Sequence, residues 1–359
     1  AHLQSLYLPQ FIIDGMHIMY AEDTTWQKMS HPAGEGRFFK SGIRTSPVTS
    51  FAREIVQEEN VPVGIIQSSV GGTNIYQWAS GVKPGDALDG YLLNALESCF
   101  DNMPSTDVKG ILWYQGCNDA INEVYAYDYE NLQNMIFTQM REFFGEDTPI
   151  ITTQINDANQ DSTASLGYYD AWSYVKDVQR RNPELYDNVY VVGTSALDLG
   201  DTIHNSAKSN LSVGDAWART ALNRVYGKTD VRYLHPTIDT ATVKDSHTIE
   251  LVFKNTGDEG LFVREDTKRI GITNGLYTIQ LGDLKQEFVV RQGGSEKLTS
   301  SNTNKGTELN ITDAVLQDDG KTVILTTEEE MSGTIAVDCC YGKRFAPSLT
   351  DKETGWSVL

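Results

Sequence analysis

The chain has 359 residues and a formal net charge of −20 at pH 7, with 40% hydrophobic and 22% charged residues. This length favours two domains, and the composition is typical of a globular protein. The acidic balance and the absence of basic stripes argue against a nucleic-acid partner, and no apolar run approaches the roughly 20 residues that cross a bilayer, so we expect no membrane partner.

Residues 46–228 alternate between predicted strands and predicted helices. Short apolar runs predict buried parallel strands at residues 61–66, 110–114, 149–154 and 189–192. Helices are predicted at residues 50–59, 88–100, 127–144, 168–181 and 212–226, the third from apolar residues that lie three and four positions apart. This alternation predicts an α/β domain whose parallel sheet is covered by helices on both faces.

The pattern changes after Gly227. Polar and apolar side chains alternate in short segments at residues 248–253, 277–280, 287–291 and 322–326, with turn signals between them. No helix period is visible, so this part of the chain predicts an all-β, sandwich-like domain. We therefore predict two domains, residues 1–229 and 230–359, and expect the second to pack against the first and frame its cleft.

Unusual residues follow three of the predicted parallel strands, at the edge of the sheet where ligands bind in open α/β folds. Gly71 and Gly72 let the backbone approach a ligand and aim N–H groups at a developing oxyanion, although a plain tight turn explains a glycine pair as well. After the next strand, Gly116 permits a sharp turn and the Asn118 amide could donate to the same oxyanion, with an Asx-turn as the alternative.

The third strand end carries Asp201 and His204, three residues apart. This spacing can place both side chains on one local turn, where the carboxylate fixes the tautomer of the imidazole and stabilises imidazolium. The alternative is an exposed loop histidine beside a helix-capping aspartate. A metal site is a poorer interpretation because no second histidine lies nearby to complete a ligand set.

Four cysteines occur, Cys99, Cys117, Cys339 and Cys340. They are too few for a disulfide framework, and no pair has zinc-site spacing. The adjacent Cys339 and Cys340 could form a disulfide with each other only under strain, so we expect the cysteines to act as buried small hydrophobic side chains. We expect neither a metal nor an organic cofactor.

At its three strand ends the sequence carries PVGIIQSSVGGT (62–73) with Trp78, GILWYQG (110–116), and DTIH (201–204) followed by Lys208, Gly214, Ala218 and Leu222. These segments resemble the phrases PVGLI-SSWGGT, G-LWYQGESN and D-HP of the sialate O-acetylesterase and carbohydrate acetylesterase branch of the SGNH hydrolases. The resemblance covers most of the chain from about Trp26 onward. It implies a three-layer, flavodoxin-like SGNH-hydrolase domain with a parallel sheet, followed by the all-β domain.

The resemblance also implies a reaction, the hydrolysis of acetyl esters on sialic acids or plant-type glycans by a Ser-His-Asp mechanism. An acetylated carbohydrate would be the substrate, and a sialic acid would need a basic pocket for its carboxylate. His204 would be the general base, and Asp201 would orient it. The implied oxyanion hole consists of Gly71, Gly72, Gln115, Gly116 and Asn118. The implied substrate contacts are Thr73 and Trp78.

The sequence departs from the family phrases at Cys117, Asn205 and Val70, where the family has Glu, Pro and Trp. These changes bear on substrate preference. The family serine lies in a Gly-Gln-Ser-Asn phrase after the first strand, and the nearest match here is Gln4-Ser5, which follows too few residues to complete a strand. We therefore hypothesise that the first strand and its serine lie upstream of Ala1, in the same precursor or on a separate chain.

Two other functions stay open at this stage. A catalytically inactive SGNH-fold protein that binds carbohydrate would account for the missing serine phrase. Exposed aromatic side chains such as Trp78 and Tyr76 could stack on sugar rings, although core packing explains them equally well. A metal-dependent hydrolase would lose activity with a chelator. The chain begins without an initiator methionine or a leader, so we expect a processed, trimmed or partial product. Separately, we expect a secreted, periplasmic or lysosome-like compartment.

Overall fold

The structure is a computed structural model that describes residues 11–20, 26–31, 33–34, 43–100, 107–158, 169–272, 275–295, 302, 304–340 and 347–359. It has a mixed α/β architecture, with parallel strands in the first part of the chain and antiparallel sheets in the last third. Across the described residues, every helix is too short or too polar to cross a membrane.

The first part of the chain contains the predicted strands and helices, together with elements that the sequence did not predict. Its strands are β1 Phe11–Tyr20, β2 Gln27–His31, β3 Ala33–Gly34, β4 Ile43–Arg44, β5 Val63–Gln67, β6 Ile111–Trp113, β7 Ile150–Thr153 and β8 Val189–Val192. Its helices are α1 Pro47–Glu59, α2 Tyr91–Phe100, α3 Cys117–Ala120, α4 Glu123–Ala126, α5 Tyr129–Phe144, α6 Tyr169–Arg180, α7 Asn182–Leu185 and α8 Ala207–Arg224. The unpredicted strands β1 to β4 precede the first predicted helix.

Helix α8 begins earlier than predicted because Ser206 caps it, with its side-chain oxygen accepting from the Ser209 backbone N–H. The helix packs closely on α1. A Cβ atom at Gly214 would lie 2.0 Å from the Pro47 carbonyl oxygen, so only glycine lets the two helices approach this far. The buried Trp217 indole of α8 donates to the Thr153 hydroxyl of β7, which fixes the helix against the sheet.

The parallel strands form two groups that share no hydrogen bonds within the described residues, where the sequence predicted one sheet. β1 lies between β2 and β5 in one group, antiparallel to β2 and parallel to β5. β7 lies between β6 and β8 in the other, and all three are parallel. Both β7 and β8 are buried along their length, whereas Ile65 and Ile66 of β5 and Ile111 and Leu112 of β6 are only partly buried. In the described part of the chain, β5 pairs only with β1 and β6 only with β7, so one edge of each strand has no strand partner there.

The last third of the chain is composed of β-strands, as predicted. These are β9 Thr237–Val243, β10 Thr248–Lys254, β11 Leu261–Val263, β12 Thr267–Ile272, β13 Gly275–Gln280, β14 Phe288–Gln292, β15 Thr307–Leu309, β16 Ile311–Leu316, β17 Thr322–Thr327, β18 Ile335–Cys339 and β19 Leu349–Asp351. An antiparallel sheet of order β16-β17-β10-β9 and another of order β15-β14-β18 contribute Leu251, Val323 and Val290 to one hydrophobic cluster. The sandwich arrangement and the boundary at residue 229 stay predictions.

Buried charges join the two parts of the chain. Lys268 of β12 is 1% exposed, and its Nζ donates to the Asp157 carboxylate, at 3.1 Å, and to the Ser195 carbonyl oxygen. Lys176 of α6 donates to the other Asp157 oxygen and to the Ser195 hydroxyl. Arg232, which like Asp351 lies after residue 229, forms a two-bond pair with the buried Asp351 carboxylate, at 2.9 and 2.8 Å. A charge taken out of water requires a partner of this kind, so the bonds that Asp157 accepts from Lys176 and Lys268 fix how the two parts pack.

Candidate active site

Asp201 and His204 form a hydrogen-bonded pair on the loop that follows β8. One carboxylate oxygen of Asp201 accepts from the backbone N–H groups of Ile203 and His204, at 2.9 and 2.7 Å, which closes a tight turn. The other oxygen lies 2.8 Å from His204 Nδ1. The His204 side chain is 66% exposed, so its second ring nitrogen can reach a ligand. The predicted local turn is thus present in the structure.

The electrostatics of this pair suit a general base. Partial burial acts to raise the pKa of Asp201, but the hydrogen bonds from the His204 ring and from the two backbone N–H groups outweigh it and lower the pKa to about 2. The hydrogen bond to Asp201 in turn raises the pKa of His204. The carboxylate is therefore charged at neutral pH, orients the ring through Nδ1 and stabilises the imidazolium that forms when Nε2 takes a proton.

The segment after β6 folds into a tight turn that only glycine permits. Gly116 has a φ of 127°, and a Cβ atom there would lie 2.7 Å from the side-chain nitrogen of Gln179. That Gln179 nitrogen donates to the Gln115 carbonyl oxygen at 2.8 Å. The Gln115 side chain donates to the Thr73 carbonyl oxygen and to Asp119. Gln115 and Gly116 therefore shape this loop, and Gln115 links it to the segment after β5; their part in an oxyanion hole stays a prediction.

Asp119 is a residue of this site that the sequence analysis missed. It is fully buried, and its carboxylate accepts from the Ile75 backbone N–H at 3.1 Å. Burial raises the pKa of Asp119 to about 6, although its hydrogen bonds act in the opposite direction. In the family phrase that ends QGESN, position 119 corresponds to the final Asn, one residue after Asn118. This alignment is the signal in the sequence that points to Asp119.

The amide of Asn118 is already engaged, since its Nδ2 donates to the Asn74 side chain at 2.8 Å. This bond and the Asp119 to Ile75 bond both tie the loop after β6 to the loop after β5. The loop that carries Asn118 and the loop that carries the Gly71-Gly72 turn are therefore in contact. Asn118 as an oxyanion donor stays a prediction, and it would require Asn118 to release Asn74 or to share its second amide hydrogen.

The glycine pair lies open on the surface. No heavy atom lies within 4 Å of a Cβ built at Gly71 or at Gly72, and Gly72 has a φ of 74°. An incoming substrate would thus meet backbone there. Thr73 is buried, donates to the Val70 carbonyl oxygen and accepts from the Trp78 indole at 3.2 Å.

Trp78 is 6% exposed and packs edge-on against Trp113, with ring centroids 5.3 Å apart. These contacts make Trp78 and the Thr73 hydroxyl supports of the loop. Direct contact of the Trp78 ring with substrate is a prediction that its burial does not favour.

The histidine loop is fastened to the same region. Asn205, directly after His204, donates to the Tyr114 hydroxyl at 3.0 Å, and Tyr114 follows β6. The side chains of Ile203 and Val70 pack on one hydrophobic cluster. The structure therefore brings together the three segments that the sequence singled out.

A nucleophile beside His204 is not found in the described part of the chain, where no hydroxyl or thiol is within hydrogen-bonding distance of its ring. Burial, with Asp119 and then Asp201 nearby, raises the pKa of Cys117 to about 12, so its thiol stays protonated. The Ser68 hydroxyl, at the end of β5, is buried and has no hydrogen-bond partner among the described residues. Ser5, the nearest match to the family serine, lies outside the described residues.

Comparisons with known proteins identify a family and a solved structure of similar fold. The family model described as carbohydrate esterase, sialic acid-specific acetylesterase matches residues 9–223. The solved structure of a carbohydrate acetylesterase from Xanthomonas citri superposes with a TM-score of 0.68 at 19% identity, covering 96% of this chain and 72% of that one, and so has a similar fold. A protein from Arabidopsis thaliana is 21% identical, with a TM-score of 0.46 over 60% of this chain and 83% of that one. Among curated proteins, none matches this sequence.

Proposed function

Because the chain belongs to the carbohydrate esterase family of sialic acid-specific acetylesterases, we propose that it hydrolyses acetyl esters on sugars by a Ser-His-Asp mechanism. The observation that carries the proposal is the exposed His204 ring, held through Nδ1 by an ionised Asp201. The next residue, Asn205, donates to Tyr114 beside the Gly116 loop, and Gln115 of that loop donates to the Thr73 carbonyl oxygen beside the glycine pair. We propose for the first domain the three-layer, flavodoxin-like arrangement of SGNH hydrolases.

Each group has one role in the proposed reaction. His204 Nε2 removes the proton from a serine hydroxyl, whose oxygen attacks the acetyl carbonyl carbon while Asp201 stabilises the imidazolium. Backbone N–H groups of the Gly71-Gly72 turn and of the loop at Gly116 stabilise the oxyanion. Collapse expels the sugar oxygen, which takes the proton from His204. Water, activated by the same ring, then releases acetate from the acetyl-enzyme and regenerates the serine.

The serine is proposed to arrive on an additional strand that pairs with the open edges of β5 and β6. The loops after these two strands are held together by the Asn118 to Asn74 and Asp119 to Ile75 hydrogen bonds, yet the strands themselves share no hydrogen bonds within the described residues. A parallel strand between them would cover the half-exposed aliphatic side chains of β5 and β6 and supply backbone partners to both edges. Its carboxyl end would then emerge between the two loops.

The experiment measures hydrolysis of 4-nitrophenyl acetate and of an O-acetylated sugar by the protein, expressed with whatever sequence precedes Ala1 in its gene. We expect His204→Ala to lower kcat by about 10²- to 10⁴-fold, the usual share of general acid–base catalysis. The matched control is His17→Ala, which removes an exposed histidine of β1. A fluorophosphonate probe, followed by peptide mass spectrometry, should label a serine upstream of Ala1. Labelling of Ser68 would contradict the additional strand, and full activity of His204→Ala would contradict the mechanism.

The second candidate is the inactive carbohydrate-binding protein. The observation that favours it is that the described residues place no hydroxyl or thiol against His204. It predicts saturable binding of an acetylated sugar, no acetate release and no fluorophosphonate labelling in the same preparation. Acetate release that depends on His204 would rule it out.

A further inference from the structure

Two adjacent thiols lie beside a buried carboxylate at the junction between the β-domain and α6. Cys339 is the last residue of β18, and Cys340 follows it with a φ of 56°. The Cys340 backbone N–H donates to the Glu287 carbonyl oxygen at 2.7 Å, which turns the chain so that both sulfur atoms lie on the same side as the Glu287 side chain. The sulfur atoms are 3.8 Å apart, and they and a Glu287 carboxylate oxygen all lie within 4.8 Å of one another.

The sulfur separation is that of a metal site. Zinc–sulfur bonds are about 2.3 Å long, so two thiolates on a tetrahedral zinc ion lie about 3.8 Å apart. A disulfide would instead require sulfur atoms about 2.05 Å apart. The two thiols are therefore unbonded and already have the separation of two ligands on one ion.

One oxygen of the Glu287 carboxylate can bind a metal ion. One oxygen accepts from the Ser348 backbone N–H and hydroxyl, which orients the group. Among the described residues, the other oxygen accepts from the Leu349 backbone N–H alone, at 3.2 Å, a bond that it shares with the first oxygen, and it keeps a lone pair for a ligand. The carboxylate is thus positioned by its first oxygen and available through its second.

One dication would balance the charges of the three ligands and of the buried group beside them. Lys176 and Lys268 share the single carboxylate of Asp157, which leaves this buried group with one excess positive charge. Two thiolates and the Glu287 carboxylate add three negative charges, which brings the net charge of the whole group to −2. One divalent cation cancels this charge. Buried charges are stable only when compensated in this way.

A cavity of about 270 Å³ gives an ion access to the thiols. Both cysteines line it, together with Gln154, Ser173, Lys176 and Arg180. The cavity has room for a water molecule as a fourth ligand.

We propose that Cys339, Cys340 and Glu287 bind Zn²⁺, with a water molecule from this cavity completing a tetrahedral site. Binding replaces the two thiol protons, which are released to solvent, and changes no oxidation state. The ion joins the end of β18 to the 3₁₀ turn Leu284–Glu287. The site is separate from His204 and holds whether or not the chain is an esterase.

The test is equilibrium dialysis of the full chain, reduced with a phosphine, against ZnCl₂, followed by measurement of bound metal. Wild type should bind about one ion per chain. Cys339→Ser and Cys340→Ser should each weaken binding by at least about 100-fold, and Glu287→Gln, which can still accept from Ser348, by about 10-fold. Cys99→Ser removes a buried thiol of α2 and should change nothing. Unfolding of each metal-free variant, followed by circular dichroism, identifies any variant that has lost its fold.

Two results would overturn the proposal. One is a reduced wild type that binds no zinc. The other is binding that survives the combined Cys339→Ser and Cys340→Ser changes in a folded protein. A further readout is thermal, because an ion that binds only the folded state must raise the Tm of the wild type and leave that of the double variant unchanged.

Discussion

The Asp201→Asn substitution should lower the pKa of His204 by about one unit. Asparagine can keep the hydrogen bonds to the Ile203 and His204 backbone N–H groups, so the change removes the charge and leaves the turn. Two unit charges 4 Å apart interact by about 1 kcal/mol in water and about 4 kcal/mol at an effective dielectric constant of 20. Because the two side chains are 47% and 66% exposed, the lower end applies. One pKa unit corresponds to about 1.4 kcal/mol, which gives the expected shift.

The assay is an NMR titration of the histidine Cε1–H signals, with His204 assigned from its loss in His204→Gln. The control is Asp230→Asn, which removes one negative charge from an exposed residue outside the turn of Asp201 and His204. In the wild type, His204 should titrate above the ordinary histidine value of about 6.5, and in Asp201→Asn near or below it. A midpoint that moves no more in Asp201→Asn than in Asp230→Asn would refute the argument that the carboxylate holds the ring.

Three further predictions concern activity and stability. The base must be neutral to accept a proton, so kcat/KM should fall as pH drops below the raised pKa of His204. Asp201→Asn should move this fall of kcat/KM to lower pH and should also lower its maximum value. A fall at the same pH as in the wild type would contradict this. Asp157→Asn should lower the free energy of unfolding in urea by about 3–5 kcal/mol because it leaves the buried Lys176 and Lys268 without their shared carboxylate. A loss below about 1 kcal/mol would show that these charges are solvated. Gly214→Ala should cost about 1–3 kcal/mol in the same assay because α1 and α8 must separate, whereas Ser212→Ala on the same helix should be nearly neutral.

The sequence predicted best what depends on local pattern. Apolar runs located β5 to β8, of which β7 and β8 are buried along their length. The three-residue spacing of Asp201 and His204 located a pair that one turn holds together. β1 escaped prediction because Gly15, with a φ of 93°, interrupts its alternation where the register with β2 shifts. A bulge of this kind hides a strand from any search for a strict two-residue period.

Features that depend on distant residues could not be predicted from the sequence. Nothing in the spacing of Asp157, Lys176 and Lys268 indicates that they meet, since two of them come from the first domain and one from the β-domain. Asp119 gave no periodic signal because it is a single acidic residue on a four-residue helix, and its role depends on the Ile75 N–H of another loop. For the same reason, the 3.8 Å approach of Cys339 to Cys340 and their proximity to Glu287 appear only once β14 and β18 are paired.

The candidate site is held together by its loops and does not depend on pairing between β5 and β6. Hydrogen bonds from Asn118 to Asn74, from Ile75 to Asp119 and from Asn205 to Tyr114 cross between segments whose strands share no ladder in the described part of the chain. Asp201 and the His204 ring are bonded within a single turn. The electrostatics of His204 should therefore be set before any nucleophile arrives, so its pKa should be the same with and without sequence upstream of Ala1, whereas ester hydrolysis should require it. A His204 pKa that changed along with activity would instead mean that the added strand builds the base as well as supplying the serine.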